Sequence, residues 1–145
     1  MSMSSLFRGL ILFMACQAHA KKVLVLHGGD DSASDVKRQT SDLLSALGSD
    51  YEFVYGSIGN PCTGENWWAD PVKKDTPTTD PDHAKPMIDK LNTILEKDGP
   101  FDGIMGYSQG GAAVAVYLSH FVTYKPIPLK WAVMFCGYVP ITHTG

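Results

Sequence analysis

The chain has 145 residues, 44% of them hydrophobic, and 12 Lys and Arg against 15 Asp and Glu give a net charge of −3. That length allows one modest domain and little more. No basic cluster points to nucleic acid, and no run approaches the roughly 20 apolar residues of a membrane-spanning helix.

The first twenty residues differ from the rest. Arg8 is their only charged side chain, Gly9–Cys16 is apolar, and Ala18-His19-Ala20 stands directly before Lys21. This is the pattern of a secretory leader, with cleavage expected after Ala20. Cleavage removes Arg8 and takes the net charge from −3 to −4. The expected organisation is a leader over residues 1–20 and one domain over 21–145, in a secreted protein. The alternative is an N-terminal extension without function. Lipid attachment at Cys16 is disfavoured by Phe13 and Met14. The mature chain would keep Cys62 and Cys136. An exported protein could pair them; two separate thiols is the plainer expectation. No C-x-x-C or histidine cluster suggests a metal, and none is expected.

Lys21–His27 is a run of valine and leucine without alternation, the pattern of a strand buried on both faces of a parallel sheet. Gly28-Gly29-Asp30-Asp31 breaks it. Ser32, Ser34 and Asp35 offer caps for a helix running to Leu47, with Val36, Leu43, Leu44 and Leu47 on its apolar face and Gly48 as its stop. Tyr51–Tyr55 is a second short strand. Strand, helix and strand in that order predict a parallel sheet.

Gly56–Asp82 is a long polar stretch with four prolines and no predicted long element. Its Trp67 and Trp68 are costly to leave in water. They are expected to pin the loop onto the domain, with a role in lining a substrate pocket as the rival. Glu65, Asp70, Asp75, Asp80 and Asp82 are expected on a solvated face. Pro86–Lys97 reads as an amphipathic helix on Met87, Leu91, Ile94 and Leu95. Ile104 and Met105 then lie in a buried strand, followed by a helix rich in small residues. Tyr124–Pro128 is a connector, Lys130–Cys136 a fourth strand, and Gly137–Pro140 the loop beyond it. The expected fold is a three-layer α/β sandwich on a short, mostly parallel sheet.

The stretch between the third strand and its helix carries the chemistry. Gly106-Tyr107-Ser108-Gln109-Gly110 is a G-x-S-x-G turn. A nucleophilic serine at the tip of such a turn sits on strained backbone, and glycines two residues either side make room for it. The helix that follows points its free N–H groups, starting at Gln109, toward the serine, where they can stabilise a developing oxyanion. The loop after the first strand lies at the carboxyl edge of the sheet, where ligands of parallel α/β sheets bind. The Gly29 N–H, or that of Asp30, is the expected second oxyanion donor. His27 is expected to orient this loop and not to act as the base. The plain alternative for Ser108 is a helix cap on an ordinary strand–helix turn.

With VLVLHGG, ENWW, GPFDGIMGYSQGG and FCGYVP in hand, the chain resembles the FSH-type serine hydrolases, a branch of the α/β-hydrolase superfamily, from Lys22 to about Pro140. The resemblance implies Ser108 as nucleophile and oxyanion donors near Gly29 and Gln109. It also implies a small-molecule ester or thioester as substrate, with no cofactor. One departure is large. Such enzymes place an acid and then a histidine after the serine, whereas here Ser108 is followed by no Asp or Glu and only by His120 and His143. The expectation is a C-terminally truncated hydrolase, nearly inactive as it stands, because losing the triad histidine costs about 10⁶ in turnover. A catalytically dead binding protein on the same fold is the alternative, and an acid from before the serine, such as Asp30 or Asp31, with an unusual base is a third. A flavodoxin-like nucleotide binder is disfavoured by the lack of a phosphate-loop glycine pattern after Val23–His27.

Overall fold

A computed structural model describes residues 19–68, 80, 82–124 and 129–138. Four parallel strands form one sheet in the order β2-β1-β3-β4, with β1 at Lys21–Leu26, β2 at Tyr51–Gly56, β3 at Gly103–Tyr107 and β4 at Trp131–Phe135. Val23 faces Phe53 on one side and Gly103 on the other, and Met105 faces Val133. Among the described residues, four α-helices connect the strands: α1 (Ala33–Gln39), α2 (Ser41–Leu47), α3 (Lys85–Asp98) and α4 (Gln109–Tyr124).

The burial of both faces of β1 explains its unbroken apolar sequence. Leu24 and Leu26 join Ile104, Met87, Leu91 and Ile94 of α3, and Ala112, Ala113 and Val116 of α4 in the larger core. Val23 and Val25 point the other way and meet Met105 and Val36 of α1. Helices thus cover both faces, giving the expected three-layer α/β architecture. Asp102 fastens the opposite edge of the sheet. It accepts the Lys22 amide at 2.9 Å and the Lys130 ammonium at 2.6 Å, and these, Lys130 foremost, hold its pKa below the usual aspartate value.

The single helix expected from Ser32 to Leu47 is two helices. Ser32 caps α1 in a reciprocal box with Asp35. The break falls at Thr40, whose hydroxyl bonds back to the Val36 carbonyl at 2.7 Å and meets the Tyr55 hydroxyl at 3.0 Å. Such back-bonding competes with the helix ladder. Leu43 is left 40% exposed. On the far side, β4 pairs only with β3 among the described residues, and Val133, Met134 and Phe135 are exposed. This is the fourth strand expected over Lys130–Cys136. Cys62 and Cys136 are exposed free thiols, the plainer of the two expectations. Residues 1–18 of the expected leader, Asp70 and Asp75, most of the Tyr124–Pro128 connector, and Val139, Pro140 and His143 lie outside the described residues.

Candidate active site

Strand order decides where a site can form. β1 leads to α1 on one face of the sheet, while its neighbour β3 leads to α4 on the other. The two chains part at the carboxyl edge and leave a crevice between them, the usual ligand position in such sheets. His27-Gly28-Gly29 forms one wall and Tyr107-Ser108-Gln109 the other. A methyl group built on Gly28 would lie 3.5 Å from Ser108 Cβ, and one on Gly29 would lie 3.6 Å from Gln109 Cβ. Ser108 and Gly29, far apart in sequence, are therefore neighbours.

The backbone at Ser108 is left-handed, with φ 52°. A non-glycine residue there is strained, and such strain gathers at functional sites. Close packing holds it in place. The Ser108 amide donates to the Phe135 carbonyl at 2.9 Å, and its own carbonyl accepts the Ala112 amide at 3.1 Å. A Cβ on Gly106 would overlap the Gly110 carbonyl and sit 2.7 Å from the Gly111 nitrogen. A Cβ on Gly110 would overlap the His27 carbonyl and sit 2.5 Å from that of Leu26. The elbow is thus pressed onto the end of β1, and only glycine fits at either position. Among the described residues, nothing hydrogen-bonds the Ser108 hydroxyl.

Gln109 is the first residue of α4, so its N–H has no acceptor within the helix. The Gly29 amide has no acceptor among the described residues. The Asp30 amide, the other donor considered from sequence, is taken: it bonds the Glu65 carbonyl at 3.0 Å. Asp30 itself is left-handed, with φ 62°, and its carboxylate accepts the Asn66 side-chain amide at 2.8 Å.

His27 is fully buried. Its ring stacks on Trp67 with centroids 4.8 Å apart, and its Nδ1 bonds the Gly28 carbonyl at 2.7 Å. A carbonyl only accepts, so Nδ1 carries the proton. Nε2 is buried without a partner. His27 therefore braces the loop, as its sequence context implies. Of the later histidines, His120 lies on α4 three turns beyond Gln109.

Trp67 and Trp68 are 1% and 7% exposed and belong to the main core, which is the pinning role. The pins include polar bonds that the sequence does not announce. The Gln109 side chain is 2% exposed. Its Oε1 accepts the Trp67 amide at 2.8 Å, and its Nε2 donates to the Trp68 carbonyl at 3.2 Å. Glu65 is a correction to the solvated acidic face. Its amide donates to the Asp31 carbonyl, and its carboxylate accepts the Gly59 and Asn60 amides at 2.8 Å and the Ser57 hydroxyl at 3.2 Å. Burial pushes its pKa up, but these donors outweigh burial and leave it below the usual glutamate value. A Trp pair directly after Glu-Asn was the one available signal, since bulky apolar residues in a polar loop must be anchored somewhere.

Among the described residues no cluster of His, Cys, Asp or Glu could hold a metal ion, and no helix is long and apolar enough to cross a membrane. The arrangement is a strained, unpaired hydroxyl beside two unpaired amides in a crevice, the geometry of acyl transfer.

Known proteins resemble this chain in sequence and fold. Residues 58–144, more than half of the chain, match the family described as Serine hydrolase (FSH1). Esterase alnB of Emericella nidulans is 32% identical over 119 residues, covering 79% of this chain and 42% of that protein. Esterase FPY3 of Fusarium mangiferae is 30% identical over 128 residues, covering 82% and 58%. The chain thus spans about half the length of these relatives. The crystal structure of Arabidopsis thaliana SOBER1 superposes with a TM-score of 0.56 at 21% identity, over 83% of this chain and 63% of that one, a likeness of fold.

Proposed function

The chain belongs to the serine hydrolase (FSH1) family, and on that premise we propose that it cleaves ester or thioester bonds of small molecules with Ser108 as the nucleophile. The observation that carries this is the left-handed Ser108, held by Phe135 and Gly110 beside two unpaired amides. The Ser108 hydroxyl attacks the substrate carbonyl carbon while a general base, none of the described residues being bonded to that hydroxyl, takes its proton and passes it to the leaving alcohol or thiol. The carbonyl oxygen becomes an oxyanion held by the Gly29 and Gln109 N–H groups. Its collapse expels the alcohol or thiol and leaves an acyl-serine, which water then hydrolyses. One missing oxyanion donor in such sites costs about 10²–10³ in turnover, so these backbone amides supply a large share of the catalysis.

The test is covalent labelling of the protein with a fluorophosphonate, with mass spectrometry to place the adduct. One adduct on Ser108 is expected, and none in Ser108→Ala. Labelling that persists in Ser108→Ala, or a folded protein that takes no label, would overturn the assignment.

A further inference from the structure

The two walls of the crevice are joined by one buried circuit that passes through Trp67. On the α4 side, the Gln109 side chain holds the Trp67 amide and the Trp68 carbonyl. On the β1 side, the Trp67 indole Nε1–H donates to the His27 carbonyl at 2.9 Å, and the indole stacks on the His27 ring. The His27 Nδ1–H then donates to the Gly28 carbonyl at 2.7 Å. That carbonyl shares a trans peptide plane with the Gly29 N–H, because the only cis bond among the described residues is Gly99–Pro100. In a trans peptide the C=O and N–H point in opposite directions. Fixing the Gly28 carbonyl therefore fixes where the Gly29 N–H points.

We infer that Trp67 is a positioning residue that sets the two oxyanion donors, Gly29 and Gln109, relative to each other. This rests on the nucleophile assignment above. Burial makes the circuit stiff. Trp67, His27 and Gln109 are 1%, 0% and 2% exposed, so water cannot replace a lost bond and each broken link leaves a polar atom stranded. The unpartnered Nε2 belongs to the same logic. With Nε2 unpartnered, the bond from Nδ1 to the Gly28 carbonyl is the ring's one polar link. The neighbouring residues brace the same loop. Glu65 pairs through its backbone with Asp30 and Asp31, and Asn66 holds the Asp30 carboxylate. Trp67 alone among them bonds both walls. Phenylalanine at 67 could still fill the core and stack on His27, but it could not donate to the His27 carbonyl.

Two variants of the protein test this, Trp67→Phe and Gln109→Met. The second keeps the Gln109 backbone N–H and removes only the side-chain link. Fluorophosphonate kinetics separate reversible binding from phosphonylation, in which the Ser108 oxygen bonds phosphorus and fluoride leaves. In each variant the limiting phosphonylation rate at Ser108 should fall roughly 10- to 100-fold, the scale expected when a catalytic group is misplaced by about 1 Å, while the reversible binding constant holds. The double variant should lose less than the product of the two, because both cut one circuit. Residual dipolar couplings read the geometry without any chemistry: the Gly29 N–H vector should reorient while those of β1 and β3 hold. Unchanged phosphonylation in variants that merely melt earlier, strictly multiplicative losses, or a Gly29 vector unmoved in both variants would overturn the coupling. Labelling retained in Ser108→Ala would instead overturn the nucleophile assignment, and the Gly29 vector would still decide the coupling.

Discussion

Replacing Gly110 with alanine would place a methyl group into the end of β1. It would overlap the His27 carbonyl and lie 2.5 Å from the Leu26 oxygen and 2.8 Å from the Leu26 carbon, where real Cβ contacts essentially never fall below 3.0 Å. All three atoms are backbone, so no rotamer relieves the overlap. β1 is paired on both sides, to β2 and β3, and cannot swing away. The first turn of α4 must therefore lift from the sheet by at least about 0.5 Å, a shift that overpacked cores resist at a cost of about 1–3 kcal/mol. Two facing backbones put the cost near the top of that range. Alanine returns up to about 1 kcal/mol through helix propensity, leaving a net loss of about 2 kcal/mol. At about 3–4 °C per kcal/mol for a domain of this size, Tm should fall by about 7 °C. Circular-dichroism melts at matched concentration measure it. A Gly110→Ala protein melting within about 2 °C of the parent would refute the idea that contact with β1 dictates the glycine.

The carboxylate of Glu65 supplies a pH signature. Its folded pKa lies below the usual glutamate value of 4.5, so its stabilising contribution is complete above that value and is lost as pH falls through the folded pKa. Glu65→Gln should flatten the acid side of the Tm–pH curve and loosen the Ser57–Asn60 turn; curves of the same slope below pH 4.5 would count against this. On the outer strand, Met134 is 50% exposed between Val133 and Phe135. Met134→Lys places a charge on an apolar edge, the device natural sheets use against edge pairing, and should lower light scattering at equal protein concentration. Unchanged self-association would mean that this edge does not drive it.

What the sequence made legible were the features written in contiguous residues. Lys21–His27, Tyr51–Tyr55 and Lys130–Cys136 each match a strand within a residue or two, because an apolar run with no helical spacing admits one reading. The elbow is legible because its pattern is contiguous, although only Gly106 is needed by atoms a few residues away; Gly110 is needed by the distant Leu26 and His27 carbonyls. The break at Thr40 was hidden because the leucine spacing runs through it, and the competing bond from Thr40 to Val36 has no weight in a hydrophobic pattern. The work of Glu65, Asn66 and the Gln109 side chain was hidden more deeply. Their partners are mostly backbone amides and carbonyls, in the same loop for Glu65 and far along the chain for Gln109, and any residue type can present those. Glu65 in a polar, proline-rich loop looks like solvated charge until the Gly59 and Asn60 amides are seen folding onto it.

The long loop thus changes standing once the topology is known. The reversal of strand order between the parallel β1 and β3 creates the crevice, but it also leaves the crevice unsupported, because α1 and α4 depart to opposite faces. Neither His27-Gly28-Gly29 nor the first turn of α4 can hold the other in place through the sheet alone. Something must bridge them from the carboxyl edge, and it must be buried if its bonds are to be stiff. Glu65–Trp68 meets both demands. Glu65 and Asn66 grip the β1 loop through Asp30 and Asp31, while Trp67 and Trp68 sink into the core beside Gln109. Two tryptophans side by side in a polar stretch are therefore explained by the crevice beneath them. The burial that pins the loop also aligns the amides on which an oxyanion would rest.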